Sequence, residues 1–447
     1  MSRAPDLPFA GEAAARRLSN RLGEPGWLLD ERLDASRLYA DLPLETNPLF
    51  TLYVDLRAAR FGEIEPYAEA GEAAEVSAVV PEGAAGLIAV AEDRVVARAL
   101  TAEAQQAGVV VDTFSNVLRH RPQLLRDVIG GGASLPENDK LAQLARASAA
   151  LGVVIHVPAG VTLEQPIVLR WAAGRPGRGL VSRTVICLGE GAQATVLEEQ
   201  VPTDDTPAHG GQSMWWGTTE VHLAAGSSLD FAAQQDFGQS TLAFVNRHAT
   251  LGRDAQLRWA LASVGGLIHK SRIDNRLVGR GSSVQQVEIG FGGGSQLFDL
   301  TSYTRHIGED TTGDLLSKGV FMDRSRGYFK GLIDIERTAR GTDSFLGEFA
   351  MLLTKKARSV TIPSLEIDQP DVRRASHSSS VGPIDEVQLF YLMSRGLPRD
   401  LARKFIVMGF LEPVVARIPL AEAQDRLRRL LEQKWPSDAL AEAEVAA

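Results

Sequence analysis

Between Leu151 and Ser380 the chain alternates apolar and polar positions in runs of one strand length, each opened by a glycine-marked turn. GEGAQATVLEEQ from Gly189, AAGSSLDFAAQQ from Ala224 and GRDAQLRWALAS from Gly252 share this form, as do GRGSSVQQVEIG from Gly279 and GEDTTGDLLSKG from Gly308. Glycine at the recurring turn supplies backbone angles that other residues resist. The starts recur at roughly 26 to 35 residues, the spacing of solenoids and related arrays. No long helical pattern interrupts them, which argues against a βαβ sheet. The pattern predicts a mainly β fold, a parallel β-helix, with a sandwich as the alternative architecture. Val196, Leu229, Phe231, Leu257 and Val287 are the residues expected to point inward.

The flanks read as helical. In residues 1–150, Trp27, Leu28, Leu29, Leu33 and Leu38 recur near helical spacing, with Arg32 and Arg37 expected in water. A surface linker is expected over Tyr67–Glu75, then short strands at Val76–Val80 and Gly86–Val90, then helices again up to Ala150. The β-helix core is assigned to 151–384, with the loops Ala172–Gly179 and Val201–Gln212 as insertions at its edge. Residues 385–447 form a C-terminal helical domain. Asp385 and Glu386 start its first helix, Gly396 caps it, and Pro398 opens the second. Gly409 and Pro413 are expected to end that second helix. A third is expected from Leu420 to Trp435, before a tail that frays.

Composition narrows the function. A chain of 447 residues with 44% hydrophobic content can build a large core. A net charge of −9 and a pI near 5.5 argue against a general nucleic-acid binder. The single cysteine, Cys187, excludes an internal disulfide framework and a cysteine-only metal site, and fits a reducing compartment. With no apolar leader and no apolar run of membrane-spanning length, a cytoplasmic location without membrane contact is expected.

Sequence motifs for independent chemistry are absent or fail their context. No GxxxxGK[ST] pattern occurs, so the chain is not expected to hydrolyse ATP itself. GEGAQA at Gly189 matches the dinucleotide fingerprint, but a strand follows where that fingerprint requires a helix. Cys187 lies in an apolar strand and reads as a small buried hydrophobe. The histidines, among them His156, His209, His222 and His248, are scattered without HExxH and read as structural or solvent-facing. Acidic residues abound in the array, but no pair stands out for glycoside chemistry. A β-helix carbohydrate-active lyase or hydrolase therefore remains the alternative of a different class.

Several long blocks carry a resemblance. They are GEPGWLLDERLDA from Gly23, Asp139–Ile167, Phe298–Phe345, and Ile362–Phe410 with its IPSLEIDQPDVRRASHSSSVGPIDE. In this order they resemble the SufB/SufD family of the SUF iron–sulfur cluster assembly system. The resemblance implies a right-handed parallel β-helix between helical terminal regions. It implies a scaffold, not an enzyme, that pairs through its β-helix with a SufB-like paralogue and works with SufC, an ABC-type ATPase.

The family's block CSHGAT corresponds to Ala375-Ser376-His377-Ser378-Ser379-Ser380 here, so the cysteine is missing while His377 is retained. With Cys187 far from that block, the chain is more similar to SufD than to SufB. A SufB-like homodimeric scaffold is the alternative within the family. By this resemblance His377 is the candidate iron or cluster ligand at the partner interface; no cofactor is expected on this chain alone.

The C-terminal helices carry more large apolar residues than two short helices can bury, and the resemblance implies that SufC docks there. Leu389, Phe390, Tyr391, Arg395, Arg403 and Phe410 are the expected contacts. A self-contained helical cap over the solenoid end is the competing reading.

Overall fold

The computed structural model describes residues 7, 9–67, 71–72, 78–129, 135–203, 211–416, 418 and 421–435. From Leu151–Val157 to Arg374–Pro383, consecutive strands alternate between two sheets, and each pairs in parallel with the strand two ahead. The result is a parallel β-solenoid of about eight turns, not a sandwich. Its register sets successive turns 26 to 35 residues apart, the extremes being Leu242 beside Ile268 and Gly179 beside Met214.

The glycine-marked turns stack. Gly191, Gly226, Asp254, Gly281, Asp310 and Gly341 all adopt left-handed backbone angles, with φ between 55° and 73°. Each donates its N–H to the next turn: Gly191 to the Ala225 carbonyl at 2.9 Å, Asp254 to Arg280 at 2.9 Å, and Gly341 to Asp371 at 2.7 Å. Glycine, and aspartate as its tolerated substitute, therefore recur where the path requires φ > 0. Gly279 meets a second demand, because a Cβ there would sit 2.0 Å from the Arg253 nitrogen one turn away.

Val196, Leu229, Phe231 and Leu257 are at most 1% exposed and fill the space between the sheets with Trp171, Trp215 and Trp259. Val287 is a correction. Its neighbours Val284, Gln286 and Glu288 take the inward positions in register with Leu257, Trp259 and Leu261, so Val287 faces out. It is buried there by the C-terminal helices, among Ala260, Leu411 and Leu427.

Both outer faces are covered. On the first sheet, Trp216 and Phe244 stack at 4.6 Å and pack beneath Leu141 and Leu144, and the Trp216 indole donates to the Leu141 carbonyl at 3.2 Å. On the second sheet, Ala232, Ala260 and Val287 lie under helices Arg399–Val415 and Ala421–Gln433. A strand such as Ser213–Leu223 is consequently buried at every position except His222. Covering the outer faces removes the need for polar residues there, as in sheets flanked by helices.

The flanks differ from expectation in several places. Arg32 is 5% exposed: it forms a 2.6 Å pair with Glu24 and donates to the Ala147 and Ala149 carbonyls, closing the end of helix Lys140–Ser148. Arg94–Leu100 and Val110–Thr113 are strands inside the span expected to be helical. They extend the two sheets through antiparallel pairs. Residues 78–80 are not strand; the rest of the Val76–Val80 expectation and most of the linker lie outside the described residues, while Tyr67 is buried. So do His209, most of the Val201–Gln212 loop and the terminal tail.

The second C-terminal helix runs through Gly409 and Pro413 to Val415. Pro413 falls in its last turn, where the lost N–H frees only the Gly409 carbonyl, and the packing of Leu411 and Val415 outweighs that loss. The helices lie along the second sheet and do not seal the solenoid end. No helix among the described residues is long and apolar enough to cross a membrane.

Candidate functional site

The last turn of the solenoid is open. Among the described residues Arg358–Ile367 pairs only with Arg326–Ile335, and Arg374–Pro383 only with Asp343–Leu352, so each sheet ends there on a ten-residue strand with one free edge. His377 sits on that final strand, in register with Leu346. The same column runs back through Leu315, Gln286, Trp259 and Phe231, so His377 holds an interior position. It is nonetheless exposed, because no further turn covers it. Its strand neighbours Ser376 and Ser378 to Ser380 carry hydroxyls, weak donors for iron beside an imidazole. Among the described residues no set of three histidine, cysteine or carboxylate groups converges around it.

The six expected docking residues separate in the structure. Helix Glu386–Ser394 starts as the sequence predicts, with the Asp385 carboxylate accepting the Val387 N–H at 2.8 Å. Val387, Phe390 and Tyr391 share an outward face and are 75%, 72% and 56% exposed. Arg395 lies over the Tyr391 ring at 5.2 Å. Phe405, 56% exposed, continues the apolar exposure on the next helix.

Leu389, Arg403 and Phe410 turn inward instead. Leu389 is 1% exposed in the core under the helices. Arg403 donates to the Leu353 carbonyl at 2.9 Å, and Phe410 packs beneath Lys318, whose ammonium also binds the Phe410 carbonyl. They fasten the helices to the solenoid. The outward face that remains comprises Phe390, Tyr391 and Arg395 with Val387 and Phe405.

Sequence reasoning missed a buried charge network. Asp139, the N-cap of helix Lys140–Ser148, converges with His248 and Asp274 from neighbouring solenoid strands. The His248 ring nitrogens lie 3.4 Å from Asp139 and 3.1 Å from Asp274. Arg272 approaches the same carboxylates at 3.5 and 2.8 Å, and Asn246 donates to Asp139 at 2.7 Å.

Burial opposes charge on this imidazole, but the two carboxylates overcome it and raise His248 to about 9. The cationic neighbours hold both aspartates below their ordinary range against burial. Two anions thus face two cations. The protonated imidazole has no free lone pair and the guanidinium occupies the carboxylates, so this is a clasp between the N-terminal region and the solenoid rather than a metal centre. It borders a cavity of about 660 Å³ that Tyr303, Arg276, Arg305 and Asn47 help to line. Only the Asp139 N-cap position was legible locally, because its partners lie more than a hundred residues away.

Cys187 is half-buried against the apolar cluster that includes Val110, Phe114, Val154 and Val185, and burial pushes its thiol up to about 12. The strand Gln193–Val201 follows the GEGAQA turn, so the dinucleotide motif lacks its helix here.

Comparison with known families separates what this geometry leaves open. Residues 171–410 match the family described as SUF system FeS cluster assembly, SufBD core domain, and residues 70–169 match the SufBD protein N-terminal region. The chain belongs to the SufBD family. Among curated relatives, the iron-sulfur cluster assembly protein SufD of Bacillus subtilis is 27% identical over 94% of this chain and 96% of its own length. Iron-sulfur cluster assembly SufBD family proteins of Staphylococcus aureus are 25% identical over 93% of this chain and 91% of theirs. The protein is thus a SufBD family iron–sulfur cluster assembly protein, most like SufD. The matched core model spans both the open terminal turn and the exposed helix face.

Proposed function

We propose that this SufBD protein is a SufD-like, non-enzymatic scaffold subunit that joins a SufB-like partner end to end and recruits a SufC-like ATPase. The open last turn carries the reading: two free strand edges and an exposed interior-facing His377 form a surface that another β-solenoid would complete. The cluster is cargo of the assembled complex, with His377 contributing one ligand and the partner the rest. The ATPase docks on Val387, Phe390, Tyr391 and Phe405, where aromatic exposure is concentrated and Arg395 supplies an anchoring charge.

Co-purification of the full chain with the two candidate partners tests the proposal. A stable three-component complex is expected. Tyr391→Ala with Phe390→Ala should remove the ATPase and retain the paralogue. A substitution of Ser378 by Pro on the terminal strand should do the reverse. Point substitutions serve better than deleting the helices, which would uncover Ala232, Ala260 and Val287. Solitary behaviour with activity on a polysaccharide would refute the scaffold reading.

A further inference from the structure

We propose that His156, Cys187 and His222 form a site for a borderline divalent metal of the zinc class, on the outer face of the first sheet. The three residues come from three consecutive strands, Leu151–Val157, Arg178–Leu188 and Ser213–Leu223, and occupy one register position. Cys187 is directly beside His156 on one side and His222 on the other. Adjacent strands are about 4.8 Å apart, so two imidazoles flank the thiol within side-chain reach. Within the sheet the column is bounded by Val110 beside His156 and Thr250 beside His222, so the described strands supply these three as ligand residues.

Two observations point to a ligand. His156 Nδ1 and His222 Nε2 are buried, and each lacks a hydrogen-bond partner. Buried polar nitrogens without partners are uncommon and call for an explanation. Burial also lowers both histidines, keeping their lone pairs free for coordination. The charged groups facing them are Arg121 near His156, and the buried Arg183–Glu220 pair beside His222 and Cys187.

Two imidazoles and one thiolate suit zinc, with solvent in the fourth position. In the metal-free arrangement the three ligand atoms do not all lie within 4.8 Å of one another, so binding rotates the histidine rings toward Cys187. The thiol loses its proton to solvent as the metal–sulfur bond forms, and affinity therefore rises with pH. Asp139, His248 and Asp274 are closer together but already neutralised by Arg272, and they serve as the control.

The test is cobalt(II) titration of the untagged, reduced full chain, with zinc as competitor. One equivalent should bind, with a thiolate-to-cobalt charge-transfer band that zinc abolishes. Cys187→Ser should lose that band. His156→Gln and His222→Gln should each weaken binding at least about tenfold. Asp274→Asn should leave binding unchanged. Zinc should also slow alkylation of Cys187 in the unmodified chain, a readout that needs no variant to fold. The absence of cobalt binding, binding without a thiolate band, or loss only in Asp274→Asn would each overturn the assignment.

Discussion

The clasp between the N-terminal region and the solenoid makes a quantitative prediction about pH. His248 is held at about 9 against an ordinary 6.5 by Asp139 and Asp274. A rise of that size corresponds to about 3 kcal/mol of stability gained by the protonated imidazole on folding. Because the folded value lies above the unfolded one, this contribution is fully present below about pH 6.5 and is lost as pH rises through 9. Glu288 and Glu348, pushed up by burial to about 7 and 8, also favour the folded state less as pH rises, whereas Lys434, pushed down by burial to about 7, favours it more, so the bare profile mixes several groups.

His248→Gln separates them, since glutamine cannot carry the charge. Urea denaturation at pH 6 and pH 9.5 should show the unmodified chain losing about 3 kcal/mol more than His248→Gln between the two conditions. Proton NMR of the imidazoles should show the resonance removed by the substitution titrating near 9. Equal losses in the two proteins, or a His248 resonance titrating at or below 6.5, would refute the account of the clasp.

Four further predictions concern the surfaces, the single cysteine and the turns. His377→Ala should lower cluster assembly on the reconstituted complex without changing the thermal midpoint of the isolated chain, because the side chain is exposed. Cys187→Ala should leave that assembly rate unchanged; its loss would put the thiol in the cluster route. Leu389→Ala should destabilise the C-terminal helices by about 2–5 kcal/mol, measured by denaturation, whereas Phe390→Ala should cost little stability and chiefly lose ATPase capture. Gly279→Ala should destabilise the solenoid by more than about 2 kcal/mol, since its Cβ would collide with the backbone of the neighbouring turn.

The repeating turns were legible because their constraint is local. Gly191, Gly226, Gly281 and Gly341, with Asp254 and Asp310, mark left-handed positions that few residues tolerate, and they recur once per turn. Strand existence followed from them. The facing of individual residues did not. Val287 is apolar like Leu257, but it lies outside because a second apolar layer covers that face, and alternation alone cannot tell two buried faces apart. Arg32 was misplaced for a related reason: its partners Glu24, Ala147 and Ala149 exist only once two distant helices pack.

His377 was found through a long family block, and its open edge only through the strand order. The trio of His156, Cys187 and His222 is invisible along the chain, because each member is separated from the next by a full turn. Register, rather than motif, brings them together.

The layer over the second sheet has a consequence for how the protein is made. Helix Ala421–Gln433 lies against strands completed some 190 residues earlier, with the Gln234 side chain bonded to the Ala423 carbonyl and Arg426 paired with Glu199. During synthesis those strands leave the ribosome with Ala232, Ala260 and Val287 bare, and they stay bare until the covering helices have been made. A nascent or prematurely terminated chain therefore shows chaperones and proteases a greasy flank that the finished chain hides. Docking of helix Ala421–Gln433 closes that flank, and a chain stopped anywhere before Ala421 leaves it open to quality control.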